Sequence, residues 1–283
     1  MFKFGKGLHD WQGPSQGVNN DCESFMKRRT FVRALQGGLL AGCMLAAAPA
    51  LTANLADTIP AVKPSIVGVG THLQTRSPAI MFSGTGFIVG DGLSVITNAH
   101  VVPETLNAER KETLGIVVGN GEAVTFRPAT LVGLDREHDL AHLRLSGAPL
   151  PALRLDERDD AREGQDLAFT GFPLGMVLGL HPATHHALLA AIVPIVRPSL
   201  SARGLDPRAI TQLQRNPSTV YQLDGTAYPG NSGSPVYDPA SGVVLAVINM
   251  VYVKGLKESA ITNPSGITYA IPVRHVGALL QRP

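Results

Sequence analysis

From Ser65 onward the sequence is broken into short apolar runs, each stopped within a few residues by Gly, Pro or Asp. In the first half these runs are 65–71, 84–89, 93–97, 114–118, 124–132 and 140–145. In the second half they are 166–171, 187–196, 219–223, 234–237, 243–251 and 266–271. Val, Ile and Thr are dense in them, and the regular spacing of turn residues is the pattern of strands joined by tight connections. The 30 glycines and 21 prolines serve those connections. No long stretch recurs with the 3.6-residue period of a helix until the end of the chain, where positions 273, 276, 279 and 280 put one apolar face on a closing helix. The chain therefore reads as all-β. The charged, proline-containing stretch 147–164, with Asp156-Glu-Arg-Asp-Asp160, is the boundary between the two sets of strands and reads as a solvated connector. An irregular insertion, 198–217, carries a short helix over 206–214. No internal sequence repeat relates the two sets.

Composition narrows the function classes. Charged residues are 16% and hydrophobic ones 44% of 283 residues, the make-up of an ordinary globular protein with room for a large core. A net charge of +2 supplies no electrostatic reason for a nucleic acid or an anionic membrane as partner. The two cysteines, Cys22 and Cys43, both precede the strands, so the strand region has no internal disulfide and no thiol nucleophile.

Residues 1–25 are polar and aperiodic, a disordered lead. Lys27-Arg-Arg-Thr-Phe-Val-Arg33 is similar to a twin-arginine export signal, and Met26 just before it would serve as a start. The apolar run that follows, 34–50, contains Gln36, Gly37, Gly38 and Gly42 and is too short for a membrane span. Cleavage after Ala48-Pro-Ala50 or near Ala53 fits the small-residue rule, and the protein would be periplasmic or secreted. Two alternatives stay open. Leu40-Ala-Gly-Cys43 resembles a lipobox, in which Cys43 would carry a lipid anchor, and an uncleaved anchor or buried helix would use the same apolar run. Residues 54–64, with Pro60 and Pro64, read as a linker into the folded part.

Three places carry chemistry. In Gly225-Thr-Ala-Tyr-Pro-Gly-Asn-Ser-Gly-Ser-Pro235, Ser232 stands in a glycine-bounded loop whose backbone N–H groups can converge, as acyl transfer requires beside a hydroxyl nucleophile. The plain alternative is a surface turn. His100 follows the run 93–97 and is held at a rigid strand end; the alternative is a packed core histidine. In Glu137-His-Asp-Leu-Ala-His-Leu-Arg-Leu145, alternation puts Asp139, Ala141, Leu143 and Leu145 on one face. A carboxylate starting such a face needs donors or a cation, which a neighbouring imidazole would supply. The alternative is an aspartate capping a turn.

The order His100, Asp139, Ser232 resembles that of the trypsin-like serine peptidases, most closely the bacterial HtrA/Deg protease domain. The resemblance runs from about Ile66 to the end, on six matches in order: Gly84-Thr-Gly-Phe-Ile-Val89, Thr97-Asn-Ala-His100, Asp139-Leu-Ala141, Gly171-Phe-Pro-Leu-Gly175, Gly230-Asn-Ser-Gly233 and Gly266-Ile-Thr-Tyr-Ala-Ile-Pro272. It implies two six-stranded antiparallel barrels, over 54–150 and 151–283 after a lead and signal at 1–53, with a short C-terminal helix and a site between the barrels. It also implies a serine endopeptidase: Ser232 as nucleophile, His100 as base, Asp139 as its partner, and the amides of Gly230 and Ser232 as oxyanion hole. The substrate pocket would have Thr226 as floor and Ile248, Asn249, Met250, Val251, Ile267, Thr268 and Tyr269 as walls. No acidic residue stands at that floor, so a small or medium apolar side chain is expected there rather than Lys or Arg.

There are departures. Asn231 replaces the carboxylate with which digestive trypsins bind a new N-terminus, so signal removal would be processing rather than activation. Ser234-Pro235 resembles bacterial glutamyl endopeptidases more than Deg proteins. About ten residues follow Pro272, leaving no PDZ-like segment. No cofactor or metal is expected: His181, His185 and His186 lack accompanying ligands, and the acidic cluster 156–160 lacks the spacing of a calcium loop. Polypeptides would be the partners. A catalytically silent relative that binds polypeptides, and an esterase using the same site, are the competing readings.

Overall fold

The structure, a computed structural model, describes residues 54–121, 123–175, 179–194, 218–249 and 266–281. The signal segment, both cysteines, the insertion with its helix, and Met250 and Val251 lie outside the described residues.

The first six strands are β1 (Ile66–His72), β2 (Ile80–Val89), β3 (Ser94–Thr97), β4 (Thr113–Asn120), β5 (Ala123–Asp135) and β6 (Leu140–Leu145). They pair antiparallel in the order β1-β2-β3-β6-β5-β4 and close into a barrel through the β1–β4 ladder. The next six are β7 (Asp166–Gly171), β8 (Ala183–Pro194), β9 (Thr219–Asp224), β10 (Pro235–Tyr237), β11 (Val244–Asn249) and β12 (Ile267–Pro272). They close in the same order, β7-β8-β9-β12-β11-β10. The two halves thus repeat in topology without repeating in sequence. Closure removes the free strand edges that so many short strands would otherwise expose.

Three apolar clusters account for the density of Val, Ile and Leu. Val67, Val69, Ile88, Val95 and Leu143 fill the first barrel. Leu167, Phe169, Leu189, Leu223 and Ile248 fill the second. A third cluster lies between the barrels and includes Phe82, Phe87, Ile96, Leu140, Phe172, Tyr237 and Val247. Adjacent residues therefore serve different cores: Val95 points into its barrel and Ile96 toward the other. That is why 84–89 is an unbroken buried run and not an alternating one. Full burial of one such side chain stabilises by about 1.5–3 kcal/mol, so the inter-barrel cluster orients the halves strongly.

Two connections differ from expectation. Residues expected as a linker form helix α1 (Leu55–Val62), capped by the Asn54 side chain, which accepts from the Ala56 N–H. Val62 joins the inter-barrel cluster, and the Thr58 hydroxyl donates to the Ala240 carbonyl at 3.2 Å. Leu55, Thr58 and Val62 carry a helical spacing that Pro60 obscured, and Thr58 and Val62 both lie against Gly242. The 147–164 connector is likewise not wholly solvated. Leu153 donates its N–H to Ile88 and pairs with Val89, while Leu155 pairs with Val244, so its backbone is stitched to both barrels. Within its acidic cluster, the Asp156 side chain is 6% exposed and pairs with the exposed Arg158 at 3.3 Å.

The closing helix α2 (Arg274–Leu280) lies where the apolar spacing put it and buries Val276 and Leu279. It crosses back onto β5 and β6 of the first barrel, with Leu279 against Gly133. No helix among the described residues is long and apolar enough to cross a membrane.

Candidate active site

His100 and Asp139 are brought together by the β3–β6 ladder. Thr97 at the end of β3 pairs with Ala141, so the residues after β3 and those before β6 face each other. His100 sits on a 3-10 turn, Ala99–Val101, directly after the strand. Asp139 has φ +56°, a left-handed conformation that aspartate tolerates better than most side chains. The backbone there is held from both sides: the Ala99 N–H and the Asn98 side-chain amide both donate to the Asp139 carbonyl, at 3.1 and 3.0 Å.

The Asp139 carboxylate accepts three hydrogen bonds. Oδ1 takes the His100 backbone N–H at 2.9 Å, and Oδ2 takes His100 Nδ1 at 2.7 Å and Asn249 Nδ2 at 2.9 Å. A carboxylate in this role accepts, so Nδ1 carries the ring proton and Nε2 of the neutral imidazole is left with its lone pair. The aspartate side chain is 15% exposed and the histidine 30%, so one end of the pair is enclosed and the other reaches the cleft.

The Ser232 loop begins with a type II turn, Tyr228-Pro-Gly-Asn231, closed by Asn231 N–H to Tyr228 C=O at 2.9 Å, with Gly230 at φ +100°. The Pro229 carbonyl accepts from Leu174 N–H at 2.7 Å. In a trans peptide the next N–H, that of Gly230, points the opposite way. Neither it nor the Ser232 N–H donates to any group among the described residues. Gly233, at φ +87°, donates to Ile248 C=O, and a Cβ there would fall on the Thr85 carbonyl oxygen.

Strand β2 joins the two halves of the site. The Thr85 N–H donates to the Ser232 carbonyl at 2.9 Å, and a Cβ on Gly84 would meet Val101 at 2.7 Å and that same carbonyl at 3.1 Å. The neighbour of His100 and the backbone of Ser232 thus flank one glycine. No hydrogen bond joins the Ser232 hydroxyl to His100 among the described residues.

The expected pocket residues divide. Thr226 is half-buried just past β9, Ile267 is exposed, and Tyr269 packs against the inter-barrel cluster. Thr268 is buried, its hydroxyl donating to Gly225 C=O at 2.6 Å and accepting from Ala227 N–H at 3.0 Å, so it braces the chain around Thr226. Ile248 is turned inward by β11 into the second barrel's core, and the Asn249 side-chain amide donates to Asp139 Oδ2. A polar residue ending a fully apolar strand needs a partner, and that was the available signal for Asn249. The sequence also left unread a cleft of about 430 Å³ beside His100 and Asp139, lined by Val102, Pro103, Leu131 and Leu134. At its rim Arg136 pairs with Glu104 at 3.3 Å.

A second polar cluster braces the turn that presents Asp139. Asp135, 4% exposed on its side chain, accepts the N–H groups of Glu137 and His138 and bonds His138 Nδ1 at 3.0 Å. His138 Nε2 lies 3.1 Å from the Ser218 hydroxyl, and the ring stacks on His275 of α2 at 3.8 Å. Burial, and then the nearby charges of His138 and Arg274, push His275 down to about 4. Burial lowers His142 and His185 too. Between roughly pH 6.5 and 4 the unfolded chain then binds more protons than the folded one, so stability falls as pH drops through that window. Urea midpoints at pH 7.5 and 5 should differ, with the lower value at pH 5, and His275→Gln should narrow the gap.

Among the described residues no three His, Cys, Asp or Glu side chains converge as metal ligands. His185 stacks on Phe169, His186 pairs with Asp166, and His181 lies against Gly121.

Two closed six-stranded barrels, with an imidazole–carboxylate pair on one and a glycine-bounded serine loop on the other, make up a trypsin-like fold. The chain belongs to the trypsin-like peptidase domain family, which it matches over residues 84–247. It is 28% identical over 208 residues to the mitochondrial serine protease HTRA2 of Drosophila pseudoobscura pseudoobscura, covering 72% of this chain and 40% of that protein. It is 26% identical over 194 residues to a probable periplasmic serine endoprotease, DegP-like, of Halomonas elongata, covering 67% of this chain and 32% of the relative. The match thus spans well under half the length of these relatives. Among solved structures, the active form of the Rv3671c protease from M. tuberculosis superposes with a TM-score of 0.56 at 25% identity, over 82% of this chain and 85% of that one.

Proposed function

We propose that this protein is an exported serine endopeptidase that cleaves polypeptides through an acyl-enzyme. The observation that carries this reading is the Asp139 carboxylate, which bonds His100 Nδ1 at 2.7 Å and leaves the lone pair on Nε2. In the mechanism the Ser232 hydroxyl attacks a peptide carbonyl as Nε2 takes its proton. The amides of Gly230 and Ser232 receive the developing oxyanion, and Asp139 stabilises the imidazolium. Nε2 then protonates the leaving amine, and water, activated by the same nitrogen, releases the acyl group. Thr226 at the pocket floor, with no acidic residue there, supports a small or medium apolar side chain at the cleavage site. The twin-arginine-like segment and the periplasmic DegP-like relatives support export; a lipid on Cys43 is the variant of that reading which the lipobox resemblance supports.

One observation favours the silent, polypeptide-binding reading: the absence of a Ser232–His100 hydrogen bond among the described residues. Catalytic hydrogen bonds often tighten only when substrate binds, so it does not outweigh the donor set around Asp139. A fluorophosphonate probe separates the readings. The adduct is expected on the Ser232 peptide by mass spectrometry, with release of new N-termini from casein. No labelling, or labelling elsewhere, would remove the enzyme; ester turnover without casein cleavage would make it an esterase.

A further inference from the structure

We propose that Thr85 is a positioning residue that aims the oxyanion donors through its hydroxyl. The inference rests on the reading of Ser232 as nucleophile. Thr85 is fully buried on β2, in the other barrel from the serine loop. Its hydroxyl donates to the Gly230 carbonyl at 2.6 Å and accepts the Phe172 N–H at 3.1 Å. Its backbone N–H holds the Ser232 carbonyl at 2.9 Å, and its own carbonyl accepts the Thr97 hydroxyl at 2.7 Å. One residue of the first barrel thus grips the loop on both sides of Asn231 and is tied to the strand that leads to His100.

The hydroxyl matters because of where the loop is soft. Gly230 has no Cβ and a positive φ, so the peptides on either side of it turn more easily than others. Three hydrogen bonds stop them: Leu174 N–H to Pro229 C=O, the Thr85 hydroxyl to Gly230 C=O, and Asn231 N–H to Tyr228 C=O. The first belongs to the same turn, 172–175, whose Phe172 amide the Thr85 hydroxyl also holds. Thr85 therefore acts directly on the peptide after Gly230 and, through that turn, on the peptide before it, whose N–H is an oxyanion donor. The loop's own side chains add no such anchorage. The side-chain amide of Asn231 and the hydroxyl of Ser234, both buried beside the serine, make no hydrogen bond among the described residues.

A threonine hydroxyl can donate and accept at once; a valine of the same shape can do neither. The test is acylation by p-nitrophenyl butyrate, with protein folding checked by circular dichroism. For Thr85→Val the acylation rate should fall on the order of a hundredfold, the loss typical of one missing oxyanion donor, while KM stays within about threefold. Thr85→Ser should restore the rate to within about fivefold. If Thr85→Val does not fold, Thr85→Ala, which puts no methyl group against the Gly230 carbonyl, is read in its place. An unimpaired hydroxyl-free variant, or a Thr85→Ser variant as slow as Thr85→Val, overturns the positioning role. Ser232→Ala run alongside keeps the two claims apart: if it acylates normally, the nucleophile assignment fails, whatever Thr85 does.

Discussion

Ser232→Ala should abolish peptide-bond hydrolysis, with turnover falling about ten-thousandfold to a millionfold, and leave the fold intact. The size of the loss follows from removing the atom that forms the covalent intermediate. What remains is catalysis by the oxyanion donors and by substrate binding, worth about a thousandfold to ten-thousandfold over water. The small effect on stability follows from the environment. Ser232 is only 6% exposed, yet the hydrogen bonds that fix its loop are made by its backbone carbonyl and by Gly233 and Ser234. Truncating the hydroxyl breaks none of them, so melting temperature should move by no more than a degree or two. Initial rates on fluorescent casein, at matched folded concentration, measure the effect. A variant that still cleaves casein within tenfold of the parent would mean that another group is the nucleophile.

Asp139→Asn should be nearly as damaging, about ten-thousandfold in kcat, for a reason visible in the donor count. Three N–H donors aim at this carboxylate: the His100 backbone, His100 Nδ1 and Asn249 Nδ2. An amide offers one oxygen and one NH2. With the oxygen at the Oδ2 position, the NH2 confronts the His100 backbone N–H. With the NH2 at that position, it confronts Asn249 and drives the imidazole into the other tautomer, in which Nε2 carries the proton and accepts nothing from Ser232. Either choice leaves a partly buried donor unpaired, at a cost of about 1–3 kcal/mol in stability. The variant should therefore lose activity and unfold at lower urea, whereas Ser232→Ala loses activity alone. Equal stability of the two variants would show that the donors around residue 139 do not depend on a carboxylate.

Much of this architecture could be read directly from the residues. Strands such as Leu140–Leu145 and Asp166–Gly171 fall where β-branched runs end at turn residues, because turn chemistry and side-chain alternation act within a few positions. The proposed site residues His100, Asp139 and Ser232 each lie in a short local pattern next to a strand or loop end, which is why the sequence points to them. Helix α1 was missed because eight residues interrupted by Pro60 are marginal as a helix alone, and docking of Val62 and Thr58 on the folded body decides their conformation.

By itself, then, the amino-acid order settled an all-β chain of short strands, its closing helix and the three side chains on which the chemistry is proposed to turn. Tertiary structure alone decided their company. Asn249 reaches Asp139 across 110 positions, and Thr85 reaches Gly230 across 145, because closing two barrels against one apolar cluster sets those strands side by side. Ile248 and Asn249 are neighbours in the chain, yet one fills a barrel and the other holds a carboxylate in the cleft. Local periodicity reports which face of a strand is buried; a buried polar group finds its partner only when distant strands have paired, and that depends on the closure of the whole molecule.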